Sequence, residues 1–367
     1  MDKICLIYNY APHYRTNIFT LLDQNLDIEF YFGDDMGDVK KMDYSLLKHK
    51  VTELKNKRFG PIEWQIGAIR PAFKHYNKYI MLGGPMTLST WICTIIARLR
   101  GKKVYYWTHG WYGKESFTQK IIKKIFFRLP NGLLLYGNYA KKLMIKEGFK
   151  ETHMTVIHNS LSYDEQLSIR KDLKSSLLFT NHFNNSYPII VFIGRLTSVK
   201  KLDLLLLAQA KNKEEGIHYN TVFIGTGSEK NKLETLVNHL NLNKEVWFYG
   251  PSYNEKELSQ ILYDADLCVA PGNIGLTAMH AMVYGCPCIS HKDFKWQMPE
   301  FEAIHPNFTG DFFERDDVNS LASTIKNWLK QNQHKREDIR KFCYEEIDKN
   351  WNPHRQLEII KKTINYK

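Results

Sequence analysis

Cysteine is scarce in this chain: six residues in 367, at Cys5, Cys93, Cys268, Cys286, Cys288 and Cys343. All sit in apolar, strand-like or helical contexts, and no CxxC pair or Cys/His ligand spacing occurs. That pattern argues against a disulfide framework and against a structural zinc site. No acidic pair of the DxD kind stands on a suitable turn, since Asp34-Asp35 and Asp316-Asp317 read as loops; a site without metal is expected. Low-complexity blocks and short-period repeats are missing too. The opening MDKICLIYNY holds an apolar run too short for an export signal and reads as a buried strand, so a cytoplasmic location is expected. Long hydrophobic runs are reduced to one, the uncharged stretch 79–97. Gly83-Gly84-Pro85 interrupts it and Thr87, Ser89, Thr90 and Thr94 dilute it, so it reads as a strand (79–82), a turn and a helix (88–99).

Positive charge is in excess. Lys and Arg number 51 against 39 Asp and Glu, a net charge of +12 that calls for an anionic partner. Phosphorylated small molecules and the anionic inner face of a membrane fit. No nucleic-acid motif with spaced stacking aromatics is present, so no nucleic-acid partner is expected. Residues 98–103 (RLRGKK) and 120–128 (KIIKKIFFR) concentrate the charge. The second predicts a basic amphipathic helix, suited to a lipid surface or to packing with a solvated basic face.

The length suits two domains, and 43% hydrophobic with 25% charged residues suits a globular chain. Short apolar strands alternate with helical patterns throughout. Strands are expected at 3–8, 28–32, 79–82, 103–107, 132–136 and 155–157, then at 188–194, 219–224, 246–249, 267–270 and 287–290. The continuous apolar runs IIVFIG and LCVAP point to parallel sheets covered on both faces. The fold class is therefore α/β, two doubly wound Rossmann-like domains. Their expected limits are 1–160, a polar connection over 161–187, and 188–350. A last helix, 351–367, is expected to pack back on the first domain.

Chemistry is expected where strands end in glycine turns. Gly194-Arg195 follows one strand, with Lys200 five residues beyond the arginine. Gly225-Thr226-Gly227 follows the next, Tyr249-Gly250 another, and Gly272-Asn273-Ile274-Gly275-Leu276 another, ahead of a helix carrying His280. Backbone N–H groups and two cations at one sheet edge favour phosphate. In the first half, Tyr14 and Arg15 occupy the first strand–helix turn, Gly83 and Gly84 the glycine turn, and His109 the polar HGWYGKE segment, with Lys114 nearby.

FIGRLTSVKKLDLLLLA, FIGTGSEKNKL and PGNIGLTAMHAMVYGCPCI resemble signature segments of the retaining glycosyltransferases of family 4, which have the GT-B fold. The likeness is strong over 188–290 and looser before it, where WTHG and HNS stand at matching places. It implies two domains facing across a cleft and a retaining, metal-independent transfer from a UDP- or GDP-linked sugar. The acceptor would be a glycan or lipid-linked oligosaccharide of surface polysaccharide synthesis, and the enzyme would sit peripherally on the inner membrane face. No further cofactor is implied. Arg195 and Lys200 would hold the diphosphate, His109 would orient the donor sugar, and Tyr14, Arg15, Gly83 and Gly84 would line the acceptor side. The family's two glutamates, eight residues apart, are Gly272 and His280 here, and Glu300 and Glu302 are the nearest later carboxylates. Two rival readings stay open, a nucleotide-sugar epimerase and a non-catalytic binding subunit.

Overall fold

The computed structural model describes residues 2–37 and 39–365; the expected domain limits at Met1 and Lys367 lie outside these. The chain divides into two compact units, Met1–Ser162 with Trp351–Lys367, and Tyr163–Asn350.

The first unit holds β1 (Ile4–Tyr8), β2 (Ile28–Gly33), β3 (Val51–Phe59), β4 (Ile62–Ile66), β5 (Lys78–Leu82), β6 (Lys103–Thr108), β7 (Gly132–Leu135) and β8 (Met154–Val156). Its helices are α1 (Thr16–Asn25), α2 (Leu88–Leu99), α3 (Phe117–Phe126) and α4 (Asn138–Lys146). The sheet order is β4-β3-β2-β1-β5-β6-β7-β8, parallel except for the β3–β4 hairpin. Successive residues of β1 serve opposite cores. Ile4 and Leu6 join Phe19, Phe30 and Trp107 on one face, while Cys5 and Ile7 join Tyr79, Met81 and Phe126 on the other. That alternation explains why a strand covered on both faces is apolar at every position. The hairpin was not expected from the sequence. Its first strand, VTELKNKRF, is mostly exposed and carries Glu53, Lys55, Lys57 and Arg58, solvated side chains next to the outermost strand β4.

The second unit begins with α5 (Tyr163–Arg170) and α6 (Leu178–Phe183). The expected connection over 161–187 is thus corrected: most of it is a folded part of this unit. Gln166 Nε2 donates to Glu255 at 2.8 Å, and the Lys174 carbonyl accepts from Gln260 at 2.9 Å. The sheet comprises β9 (Ile189–Ile193), β10 (Asn220–Ile224), β11 (Val246–Gly250), β12 (Leu267–Ala270), β13 (Cys288–His291) and β14 (Gly310–Phe313). Its order is β11-β10-β9-β12-β13-β14, all parallel. The intervening helices are α7 (Asp203–Glu214), α8 (Lys230–His239), α9 (Glu255–Asp264) and α10 (Thr277–Met282), followed by α11 (Val318–Asn332) and α12 (Arg336–Asn350). Strand order reverses between β9 and β12, which defines a crevice at their carboxyl ends. The chain then returns to the first unit, where α13 (Pro353–Thr363) packs Leu357 and Ile360 into the Ile4–Leu6 core. Asn352 caps that helix through the Arg355 N–H at 2.9 Å.

Candidate active site

At the reversal in the second sheet, the loops after β9, β10 and β12 are stitched backbone to backbone. Leu196 N–H donates to the Thr226 carbonyl at 2.9 Å, and Gly272 N–H to the Lys200 carbonyl at 2.9 Å. Such close approach requires glycine. A Cβ on Gly225 would strike the Gly194 carbonyl, and one on Gly272 the Val199 carbonyl. Gly227 stands equally close to Leu196. The absence of a glutamate at 272 therefore has a backbone cause: the loop carrying Lys200 occupies the space its side chain would need.

Lys200 is half-buried, and its ammonium donates to both the carbonyl and the Oδ1 of Asn273 at 2.7 Å. Burial lowers its pKa from the ordinary 10.5 to about 8; the Glu300 carboxylate pushes the other way and the Arg195 charge adds to the lowering. Arg195 is exposed on the same loop. The two cations thus share one electrostatic neighbourhood, with the buried Glu300 beside it on a 3-10 turn, Pro299–Ala303. Glu302 is half-buried on that turn.

The expectation that the backbone N–H groups of the loop after β12 are open to phosphate needs correction. The Ile274 N–H already donates to Gln297 Oε1 at 3.0 Å, with Gln297 in turn bound to Ser290 and the His291 carbonyl, so it is not spare for phosphate. The helix after Gly275 and Leu276 is also short, Thr277–Met282, and offers little aligned dipole. His280 is half-buried on that helix. At the outer strand, Tyr249 and Ser252 both donate to Glu257, which fixes the turn at Gly250. A separate groove of about 690 Å³ is lined by Thr197, Ser198, Lys201, Glu229 and Lys232 among others, and by neither Arg195 nor Lys200.

The first sheet has its own reversal, between β1 and β5. Gly83 follows β5; its N–H donates to the Trp107 carbonyl at 3.0 Å and its carbonyl accepts from Thr108 Oγ1 at 2.7 Å. Gly84 lies next to Thr87. Arg15 ends the 3-10 turn His13–Arg15 and is buried, with Tyr14 half-buried beside it. Its Nη2 donates to the Tyr136 hydroxyl, which also pairs with the Tyr8 hydroxyl at 2.8 Å. The guanidinium carbon lies 5.4, 5.3 and 5.2 Å from the ring centres of Tyr8, Trp107 and Tyr136. His109 packs on Tyr136 at 4.6 Å. Burial, helped by the Arg15 and Lys123 charges, lowers its pKa to about 4, so the imidazole is neutral. Glu115 holds the loop after it, accepting from Tyr112 and Gly113 N–H at 2.8 and 2.9 Å and from Lys123 at 2.7 Å. Lys114 is exposed, over the Tyr112 ring.

Tyr8, Trp107 and Tyr136, whose rings surround Arg15, are not singled out by the sequence because each reads as the end of an apolar strand. Only the aromatic residue repeated at three strand ends could have flagged them. The basic helix is also less basic than its sequence: Lys120 and Lys124 both pair with Glu147, and Lys123 with Glu115. Among the described residues, no helix is long and apolar enough to cross a membrane, and no group of three or more His, Cys, Asp or Glu is placed to hold a metal ion.

Residues 175–346 match the family Glycosyl transferases group 1. Granule-bound starch synthase 1 of Pisum sativum is 32% identical over 157 residues, 40% of this chain and 25% of that protein. D-inositol 3-phosphate glycosyltransferase of Mycobacterium sp. (strain KMS) is 28% identical over 145 residues, 38% of this chain and 32% of that one. The chain thus matches a third or less of the length of these curated relatives. Among solved structures, Anabaena HepE in complex with UDP superposes with a TM-score of 0.74 at 15% identity, covering 100% of both chains. The lipopolysaccharide outer core galactosyltransferase WaaB gives 0.72 at 15% identity over 99% of both. These structures share the GT-B fold of two Rossmann-like sheets. The match to the Glycosyl transferases group 1 family thus falls within the second unit, and the likeness to the solved structures extends the shared fold over the whole chain.

Proposed function

We propose that this protein transfers a sugar, with retention of anomeric configuration and without a metal ion, from a nucleotide diphosphate sugar to a glycan or lipid-linked acceptor. The observation that carries the reading is the pairing of Lys200 with Arg195 at the strand reversal of the second sheet. Cleavage of the anomeric C–O bond leaves charge on the diphosphate, and two cations fixed there stabilise it as it grows. Lys200 is held in place by Asn273, which a phosphate oxygen would replace as its partner. The leaving phosphate oxygen takes the acceptor's proton. His109, neutral and seated on Tyr136, orients a donor-sugar hydroxyl. Glu300 supplies the carboxylate near Lys200 that Gly272 cannot. A UDP-type donor agrees with HepE having been solved with UDP and with UDP-glucose, and a surface-polysaccharide acceptor agrees with the lipopolysaccharide role of WaaB.

A peripheral place on a membrane is part of the same reading. Leu88, Ile92, Ile95 and Leu99 are exposed along α2, and Phe117, Ile121, Ile122 and Ile125 along α3. The two helices touch through Trp91 and Phe126, whose rings lie 4.9 Å apart. Eight exposed apolar side chains on neighbouring helices, beside exposed Arg98, Arg100, Lys103 and Arg128, suit an anionic lipid surface.

The test is a donor panel with detection of released nucleoside diphosphate, wild type against Arg195→Ala/Lys200→Ala. Acceptor-dependent release by the wild type and its loss in the double variant is the expected result. Donor binding without turnover on any acceptor would instead favour the binding-subunit reading, and full activity of the double variant would refute the site.

A further inference from the structure

Two donors and one imidazole nitrogen in the first unit have no hydrogen-bond partner although they are buried: Arg15 Nη1, Trp107 Nε1 and His109 Nδ1. They belong to one cluster. The Arg15 guanidinium lies over the Trp107 and Tyr136 rings and donates to the Tyr136 hydroxyl, and His109 packs on that same ring. Buried polar groups in folded proteins are nearly always satisfied, so three lapses around one tyrosine call for an explanation.

The charge makes the case stronger. Arg15 is only 6% exposed. The groups acting on it are the hydroxyls of Tyr136, Tyr8 and Tyr14, with no carboxylate among them. A buried cation without an anion is costly, and a neutral hydroxyl with aromatic faces offsets only part of that cost. His109 adds no opposing charge, because burial keeps it neutral. The site thus offers the unpaired N–H groups of Arg15 and Trp107 and one fixed positive charge, with no carboxylate among the groups acting most strongly on it. Nearby Lys123, whose field also reaches His109, is committed to Glu115 and the Gly110 carbonyl.

We propose that Arg15 and Trp107 form a receptor for an oxyanion, a carboxylate or a phosphate, carried by the acceptor, with the donor-orienting His109 beside it on the Tyr136 ring. A planar guanidinium with a spare nitrogen suits either group. The assignment to the acceptor rests on the proposed transfer reaction: the donor's diphosphate has Arg195 and Lys200 in the second unit, so a second cationic site serves the other substrate. The acceptor is then an acidic glycan or a phosphate-bearing lipid or sugar, and a neutral glycan would leave Arg15 uncompensated.

The experiment uses the full chain in an Arg195→Ala/Lys200→Ala background, which removes the second-unit phosphate site. Inorganic phosphate and acetate are titrated by calorimetry, with and without Arg15→Met, and each protein's Tm is recorded. One anion should bind, and Arg15→Met should weaken it by at least about tenfold while Tm holds or rises, since a buried charge has been replaced by an apolar side chain. Preference for phosphate over acetate, or the reverse, identifies the source. Absence of binding by either anion, or binding unchanged in Arg15→Met with a fallen Tm, would show Arg15 to be an aromatic brace and overturn the proposal. In the otherwise native enzyme, Arg15→Met should raise KM for a charged acceptor and leave donor KM alone; a raised donor KM would overturn the acceptor assignment. Should the Arg195→Ala/Lys200→Ala protein keep full turnover, the donor-site reading fails, whereas the anion titration still reports on Arg15.

Discussion

In the second unit the cations stand on polar loops: Arg195 is exposed and Lys200 leans on a single asparagine. In the first unit the cation is sunk among Tyr8, Trp107 and Tyr136 and keeps one idle nitrogen. Both sheets place positive charge at a reversal of strand order, but by different physics. A loop lysine with a lowered pKa is a charge that pH and ligand can tune. A guanidinium stays protonated whatever surrounds it, so burial there fixes the charge and sharpens selection by shape and hydrogen bonding. On the proposed reading, the second unit responds to a leaving group and the first recognises a fixed one.

The largest expected effect tests the responsive side. Arg195→Ala/Lys200→Ala should lower kcat by at least about 100- to 1000-fold, the cost of losing a preorganised charge stabiliser, with circular dichroism unchanged. Gly272→Glu should not restore a family-like carboxylate. Its Cβ would displace the Val199 carbonyl, so a loss of about 1–3 kcal/mol in stability is expected, read by urea unfolding, together with weaker donor binding. A third measurement sharpens the contrast through pH. Lys200 is charged below about 8, so donor affinity should fall as pH rises through that value, and Lys200→Arg should flatten the profile. The stability sign is opposite: between about 8 and 10.5 the unfolded chain binds the proton that the folded chain has lost, so folding is favoured as pH rises there.

Two smaller effects belong to the first unit. Ile121→Ser/Ile125→Ser should reduce sedimentation with anionic vesicles several-fold while donor hydrolysis in solution is unaffected. His109, with its pKa lowered from 6.5 to about 4, favours the folded state above 6.5, and that contribution fades as pH falls toward 4. His109→Gln should therefore show a shallower loss of Tm over that window than the wild type.

Much of this was legible in the residues. The apolar strands and glycine turns of 188–290 located the second sheet and its loops to within a few residues, because buried parallel strands leave a continuous apolar signal. Arg195, Lys200 and His109 were singled out by type and spacing, and the structure sets Arg195 and Lys200 on one loop at the strand reversal of the second sheet. The charged β3–β4 hairpin was not, since an edge strand hides its pattern under solvated side chains. Nor could spacing reveal that Gln297, 23 residues away, takes the Ile274 N–H, or that Glu147 neutralises two lysines of α3. Those are tertiary facts. The Tyr8–Trp107–Tyr136 nest escaped for the same reason: each member is a strand-end aromatic until three strands align.

The return of α13 to the first unit has a bearing on synthesis. Residues 163–350 are one uninterrupted stretch, so that unit can close on itself as soon as it has left the ribosome. The amino-terminal unit, although made earlier, must wait for Leu357 and Ile360 before its hydrophobic layer is filled. A released chain that ends at Asn350 should thus present a finished carboxyl-side unit and an unfinished amino-side one, inverting the usual order in which the first domain made is the first to mature.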